Sequence, residues 1–203
     1  PTDAAIGDDA VGDTQTFTIS VTAVNDPPTF ANAGDVSVDE DSGPYNAVWA
    51  TQISPGPADE SSQTVVFNVT VPEASKSLFA SLPVISESGV LRFTPALNAV
   101  GAVTVVVNAT DSGEAISPPV SFQIKIGEVN DPPRPLSDVL DPSDEDTVLT
   151  ISAAQLLAND GDPDLQTNPN ESLTLVMPAE STSVSGATVK FDAATQTITY
   201  NPL

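Results

Sequence analysis

Val24-Asn25-Asp26-Pro27-Pro28 returns unchanged as Val129-Asn130-Asp131-Pro132-Pro133, 105 residues further along (129 minus 24). That spacing is about the length of one immunoglobulin-like β-sandwich, so the pentapeptide reads as a joint between serial domains. Its flanks repeat in register. Phe17, Ile19 and Val21 are matched by Phe122, Ile124 and Ile126, and Asp39-Glu40-Asp41 by Asp144-Glu145-Asp146. In both copies the apolar residues before the joint alternate with polar ones, the period of a half-buried strand. Repetition at a fixed long period identifies a tandem array.

The composition narrows the chemistry. The chain carries 28 acidic against 5 basic residues, a formal charge of −23. Phosphate binding needs clustered Lys and Arg, so nucleic acid is not an expected partner, and the same charge disfavours an anionic membrane surface. Self-repulsion on this scale destabilises compact domains, and divalent cations relieve it; a surface adapted to salt is the plainer alternative. Cysteine and histidine are both absent. This excludes disulfides, thiolate and imidazole metal sites, and Ser-His-Asp catalysis. Oxygen ligands are abundant, and oxygen is what calcium binds. No apolar run of 18 residues occurs, so no membrane-spanning helix is expected.

Strand chemistry runs throughout. Thr64–Val71 alternates, Val103–Val107 is β-branched, and Val90–Pro95 has a counterpart in Thr197–Pro202. Nineteen prolines leave little room for long helices, with one short helical turn expected at Ser152–Leu157. The repeat divides the chain into 1–28, the last loop, strand and linker of a preceding repeat; 29–133, a complete sandwich with its linker; and 134–203, the first part of a further repeat. Asp8, Asp9 and Asp13 read as a solvated cluster in the first of these.

The stretch Val103–Pro133, with Asn108-Ala109-Thr110-Asp111-Ser112-Gly113 and the closing Glu128-Val129-Asn130-Asp131-Pro132-Pro133, resembles the end of a cadherin repeat. Val36-Ser37-Val38-Asp39-Glu40-Asp41 is similar to that family's first strand, which carries a calcium-binding glutamate. Ala158-Asn159-Asp160-Gly161-Asp162-Pro163-Asp164 is similar to its Asp-x-Asp loop. The Asn-Asp-Pro-Pro linker itself resembles bacterial-type cadherin-like repeats, which occur in very large surface proteins including RTX-type adhesins. The resemblance implies an all-β chain of tandem Greek-key sandwiches of Ig-like, cadherin-like type, calcium as cofactor, and an extracellular or cell-surface location.

In such a sandwich the loops between the second and third strands and between the sixth and seventh face the preceding linker. The resemblance therefore gathers Asn25 and Asp26 with Asp59, Glu60 and Asp111 at the first joint. At the second it gathers Glu40 from the domain above, Asn130 and Asp131 from the linker, and Asp160, Asp162 and Asp164 from below. Two departures stand out. Where the family's linker has an acidic residue two positions before its Asn, the first joint has Ala23, though the second has Glu128. The stretch Ala96–Gly101 also lacks the acidic triplet seen ahead of the sixth strand in the family. Fewer ions per joint than in cadherins, and weaker binding at the first joint, are expected. Each Asp-rich turn alone is equally an ordinary turn, because Asp bonds its own backbone.

Three functions compete. A calcium-stiffened extender in a long surface protein, contacting neighbouring repeats, accounts for the period and the charge. A module that binds glycan or other copies of itself needs an exposed aromatic patch, for which Trp49 and Tyr45 are the candidates, although core packing is the commoner fate of Trp49. An enzyme with paired carboxylates is not expected, since the acids cluster in turns at the joints. Sequons stand at Asn68, Asn108 and Asn170.

Overall fold

The computed structural model describes residues 17–142 and 144–202. The acidic cluster at Asp8, Asp9 and Asp13 lies outside them. Among the described residues nine strands lie between the two linkers: β1 (Thr29–Asn32), β2 (Val36–Asp39), β3 (Tyr45–Val48), β4 (Ala50–Ser54), β5 (Val65–Thr70), β6 (Phe79–Ile85), β7 (Val90–Pro95), β8 (Gly101–Asp111) and β9 (Val120–Gly127). They form a four-stranded sheet in the order β2-β9-β8-β5, a three-stranded sheet β3-β7-β6, and the pair β1-β4. The pairing of β2 with β9 is parallel and the others are antiparallel. The expected all-β sandwich is what the chain forms.

Alternation builds the core. On β8, Val103, Val105, Val107 and Ala109 point inward and meet Phe122, Ile124 and Ile126 of β9. Burying each of these Val, Ile and Phe side chains contributes roughly 1.5–3 kcal/mol. Trp49, 1% exposed, sits in the break between β3 and β4 rather than within a strand. Its ring lies 4.4 Å from that of Phe122, and its Nε1–H donates to the Gly34 carbonyl at 2.8 Å. Tyr45 is half-buried and stacks on Phe93 at 4.8 Å. Trp49 is thus closed to a stacking ligand, while Tyr45 keeps part of its surface open beside Leu82, Val84 and Arg92.

The same parity carries acid to both ends of the sandwich. After Ala109 the next inward residue on β8 is Asp111; after Val36 and Val38 the next inward residue is Glu40, just past the end of β2. Because β2 parallels β9 while β8 opposes it, the two carboxylates emerge at opposite ends, one toward each linker.

Beyond the second linker lie β10 (Leu149–Ser152), α1 (Ala153–Leu156), β11 (Glu180–Thr182), β12 (Thr188–Asp192) and β13 (Thr197–Asn201), in a sheet ordered β10-β13-β12-β11. Here β10 pairs with β13 as β3 pairs with β7. Helix α1 is the short turn expected there, capped by Ser152, whose Oγ accepts the Gln155 N–H at 3.2 Å. The strand expected at Phe17–Ala23 differs. No strand is assigned over 17–28, and Phe17, Ile19 and Val21 are exposed, because no strand among the described residues pairs with them.

Candidate metal centres at the two joints

Two prolines stiffen each linker and hold the preceding Asp extended, so the linker presents its Asn and Asp to whatever lies beside it. At the first joint contact with the sandwich begins at Asn25, which is half-buried. Its Nδ2 donates to both oxygens of Asp111, at 3.1 and 3.2 Å. Its Oδ1 accepts Gln63 Nε2 at 2.6 Å. The Asp26 backbone N–H donates to Glu60 Oε1 at 2.8 Å. Glu60 is 5% exposed, and its other oxygen, Oε2, is buried without a partner. Glycines make the room. A Cβ on Gly113 would stand 2.4 Å from Asn25 Oδ1, and one on Gly56 only 1.8 Å from Glu60 Oε2.

At the second joint Glu40, 1% exposed, faces the linker from above. Its Oε1 accepts the Val129 N–H at 3.0 Å, and its Oε2 is buried and unpartnered. From below, Asp164, also 1% exposed, accepts the Asp131 N–H at 2.6 Å. Burial holds the Glu40 carboxyl above the usual carboxylate range. The charges of Asp41, Asp164 and Asp131 push the same way, against the Val129 hydrogen bond. A buried carboxylate oxygen with no donor costs free energy until a cation or proton meets it.

The remaining candidates are placed less directly. Asp160 Oδ1 accepts the Leu136 N–H at 2.7 Å, and Asp162 Oδ1 caps the next turn through the Asp164 N–H at 2.9 Å. Asn130 gives its side-chain amide to the Asp131 carbonyl at 3.0 Å. Asp59 is exposed on the turn that turns Glu60 inward. Asp131, Asp160, Asp162 and Glu171 wall a cavity of about 380 Å³ beneath the linker. Among the described residues no three carboxylates stand close enough to hold an ion as placed. Even so, the donor set is oxygen throughout and includes two buried oxygens lacking a partner, which suits a hard cation.

The likeness is to cadherin-type and adhesin structures. Protocadherin Gamma B2 extracellular cadherin domains 1–5 match at 19% identity and a TM-score of 0.42, over 89% of this chain and 33% of that one. Domains 3–6 of the same protein match at 19% and 0.39, over 87% and 39%. The SrpA adhesin from Streptococcus sanguinis matches at 13% and 0.33, over 90% and 94%. The chain thus spans well under half of either protocadherin structure. No protein-family model matches the chain, and no curated protein sequence does.

Three residues at the joints carried no signal in the sequence reading. Gln63 holds Asn25. Asn98, in the stretch between β7 and β8 that lacks carboxylates, donates its amide to Asp131 Oδ2 and its backbone N–H to Asp41 Oδ1 at 3.4 Å. Its φ of +54° is a conformation that Asn tolerates better than most residues, the one hint the sequence holds. Glu171 lies in a turn without a recognisable motif.

Proposed function

We propose that this chain is an extender segment of a long extracellular or cell-surface protein, an adhesin or surface filament, stiffened by calcium where each repeat meets the next. The repeats follow the divisions 1–28, 29–133 and 134–203, and the role is mechanical rather than enzymatic. The observation that carries this is the pair of buried, unpartnered carboxylate oxygens, Glu40 Oε2 and Glu60 Oε2, one at each end of the sandwich against a linker. Without cation the second joint holds Glu40, Asp131 and Asp164 in mutual repulsion. A shared cation supplies the missing partner and ties linker to sandwich. Glu40, Asp131 and Asp164 are the main ligands proposed there, with Asp160, Asp162 and Asn130 supporting them; Glu60, with Asn25, Asp26, Asp59 and Asp111, forms the weaker first site.

The test is a melting curve in chelator and then across calcium concentrations from micromolar to millimolar, with magnesium as control. Ion binding to the native state raises stability with the logarithm of concentration, by ~2.7 kcal/mol at a hundredfold excess over Kd. A calcium-selective rise in Tm is expected. An unchanged Tm would reduce the acidic ends to solvated surface.

A further inference from the structure

We propose that Gln63 is a positioning residue that clamps the first linker onto the sandwich without any cation. Four groups close a ring. Asn25 Nδ2 donates to both Asp111 oxygens, and Gln63 Nε2 donates to Asn25 Oδ1 at 2.6 Å. Gln63 Oε1 accepts the Gly113 N–H at 3.1 Å, and Gly113 lies two residues after Asp111 on the same turn. Asp111 Oδ1 also accepts the Ala115 N–H at 2.9 Å. Both side-chain amides are used at the donor and the acceptor end, and the one carboxylate in the ring is satisfied by nitrogen donors. Nothing here needs a metal, and nothing repels.

Gln63 is positioned for this by its own backbone, whose N–H donates to the Glu60 carbonyl at 2.9 Å and so continues the turn that seats Glu60. Among the described residues the second joint shows no such ring, although the Asn98 amide reaches Asp131 from the sandwich above. Asn168, 105 residues on from Gln63, accepts the Asn170 N–H with its side chain, and Asn130 spends its amide on its own linker. The amide at position 63 is therefore what sets the first joint apart. Gln63→Glu replaces the donor facing Asn25 with a second carboxylate beside Asp111, and makes the joint depend on a cation. That last step rests on the calcium reading above; the clamp itself does not.

The experiment is residue-resolved amide hydrogen exchange on the ¹⁵N-labelled 203-residue chain, in chelator and in millimolar calcium. The reporters are the Asp26 and Gly113 N–H groups, with Val105 and Ile124 of the core as folding controls. In the wild type, protection of the two reporters is expected to be present already in chelator, with calcium adding to it at the Asp26 N–H beside Glu60. Gln63→Ala is expected to lower it about tenfold in both, as loss of a hydrogen bond of ordinary net strength does. Gln63→Glu is expected to lower it in chelator and recover it in calcium. The clamp is overturned if wild-type protection appears only with calcium, or if Gln63→Ala leaves it unchanged. If Gln63→Ala behaves as expected but Gln63→Glu never recovers, the clamp stands and the calcium reading of this joint fails.

Discussion

The two linkers share the sequence Val-Asn-Asp-Pro-Pro yet grip the following repeat by different means. At the first, side-chain amides do the holding, with Asn25 and Gln63 arranged around one carboxylate. At the second, backbone does most of it, beside the Asn98 amide on Asp131. The Arg134 N–H donates to the Gly161 carbonyl at 2.7 Å, the Gly161 N–H returns to Arg134 at 3.2 Å, and Asp160 and Asp164 accept further linker N–H groups. Neutral donors satisfy Asp111 at the first joint and leave Glu60 Oε2 as its one open carboxylate oxygen among the buried ones. The second concentrates charge, because Asp131 and Asp164 both act on the buried Glu40, with backbone N–H groups as donors to Glu40 and Asp164 and the Asn98 amide as donor to Asp131. One motif thus supports a joint held by hydrogen bonds and another whose charge calls for a counter-ion, and the difference lies in what stands opposite the linker.

The sharpest way to break this comparison is to remove the charge from the second joint. Glu40→Gln with Asp164→Asn keeps the shapes and deletes two buried carboxylates. Calcium affinity measured by titration calorimetry is expected to fall at least tenfold, about 1.4 kcal/mol, with the weaker sites left intact. Equal affinity in the double variant would place the ion elsewhere.

A smaller effect is expected at the first joint. Gly113→Ala puts a Cβ where the Asn25 side chain lies, and crowding of this kind costs ~1–3 kcal/mol when neighbours cannot yield. Asn25 sits on a linker that can yield, so the low end is expected. The loss should appear as weaker exchange protection of the Asp26 N–H with little change in Tm. A large drop in Tm instead would mean that the turn after Asp111 is part of the folding core.

How much of this was legible follows the chemistry of each residue. The strands were readable because alternation and β-branching leave a periodic trace, and the core of β8 and β9 falls on the expected residues. Glu40 and Asp111 were picked out through the resemblance, and in the fold each continues the inward parity of the strand it follows or ends. Asp59 and Glu60 were harder to separate. The 105-residue period matches Asp164 to Asp59, but Glu60 occupies the buried place, because the turn Ala58–Glu60 rotates it inward and Gly56 leaves space for its carboxylate. Asp160 and Asp162 look like half of a calcium loop in sequence, while in the fold each has an oxygen already engaged by a backbone N–H. Gln63 and Asn98 left no trace, since an uncharged amide in a turn is ordinary until the group it faces is known.

The smallest predicted effect is a pH dependence that separates the joints through Glu40. Its carboxyl is held above the ordinary value of 4.5, first by burial and then by Asp41, Asp164 and Asp131. Between 4.5 and the raised native value the folded chain therefore keeps a proton that the unfolded chain has lost. Stability falls with rising pH wherever the native state binds more protons. In chelator the chain should accordingly become more stable as pH is lowered through the raised native value toward 4.5. Calcium needs the ionised carboxylate, so saturating calcium should flatten or reverse that slope. Glu40→Gln, neutral at every pH, should lose this part of the slope in chelator and be more stable than the wild type at pH 7, while gaining less from calcium. Parallel Tm-against-pH curves for variant and wild type in chelator would show instead that the slope comes from the general relief of negative charge across the chain, and that Glu40 is no special locus of strain at the second joint.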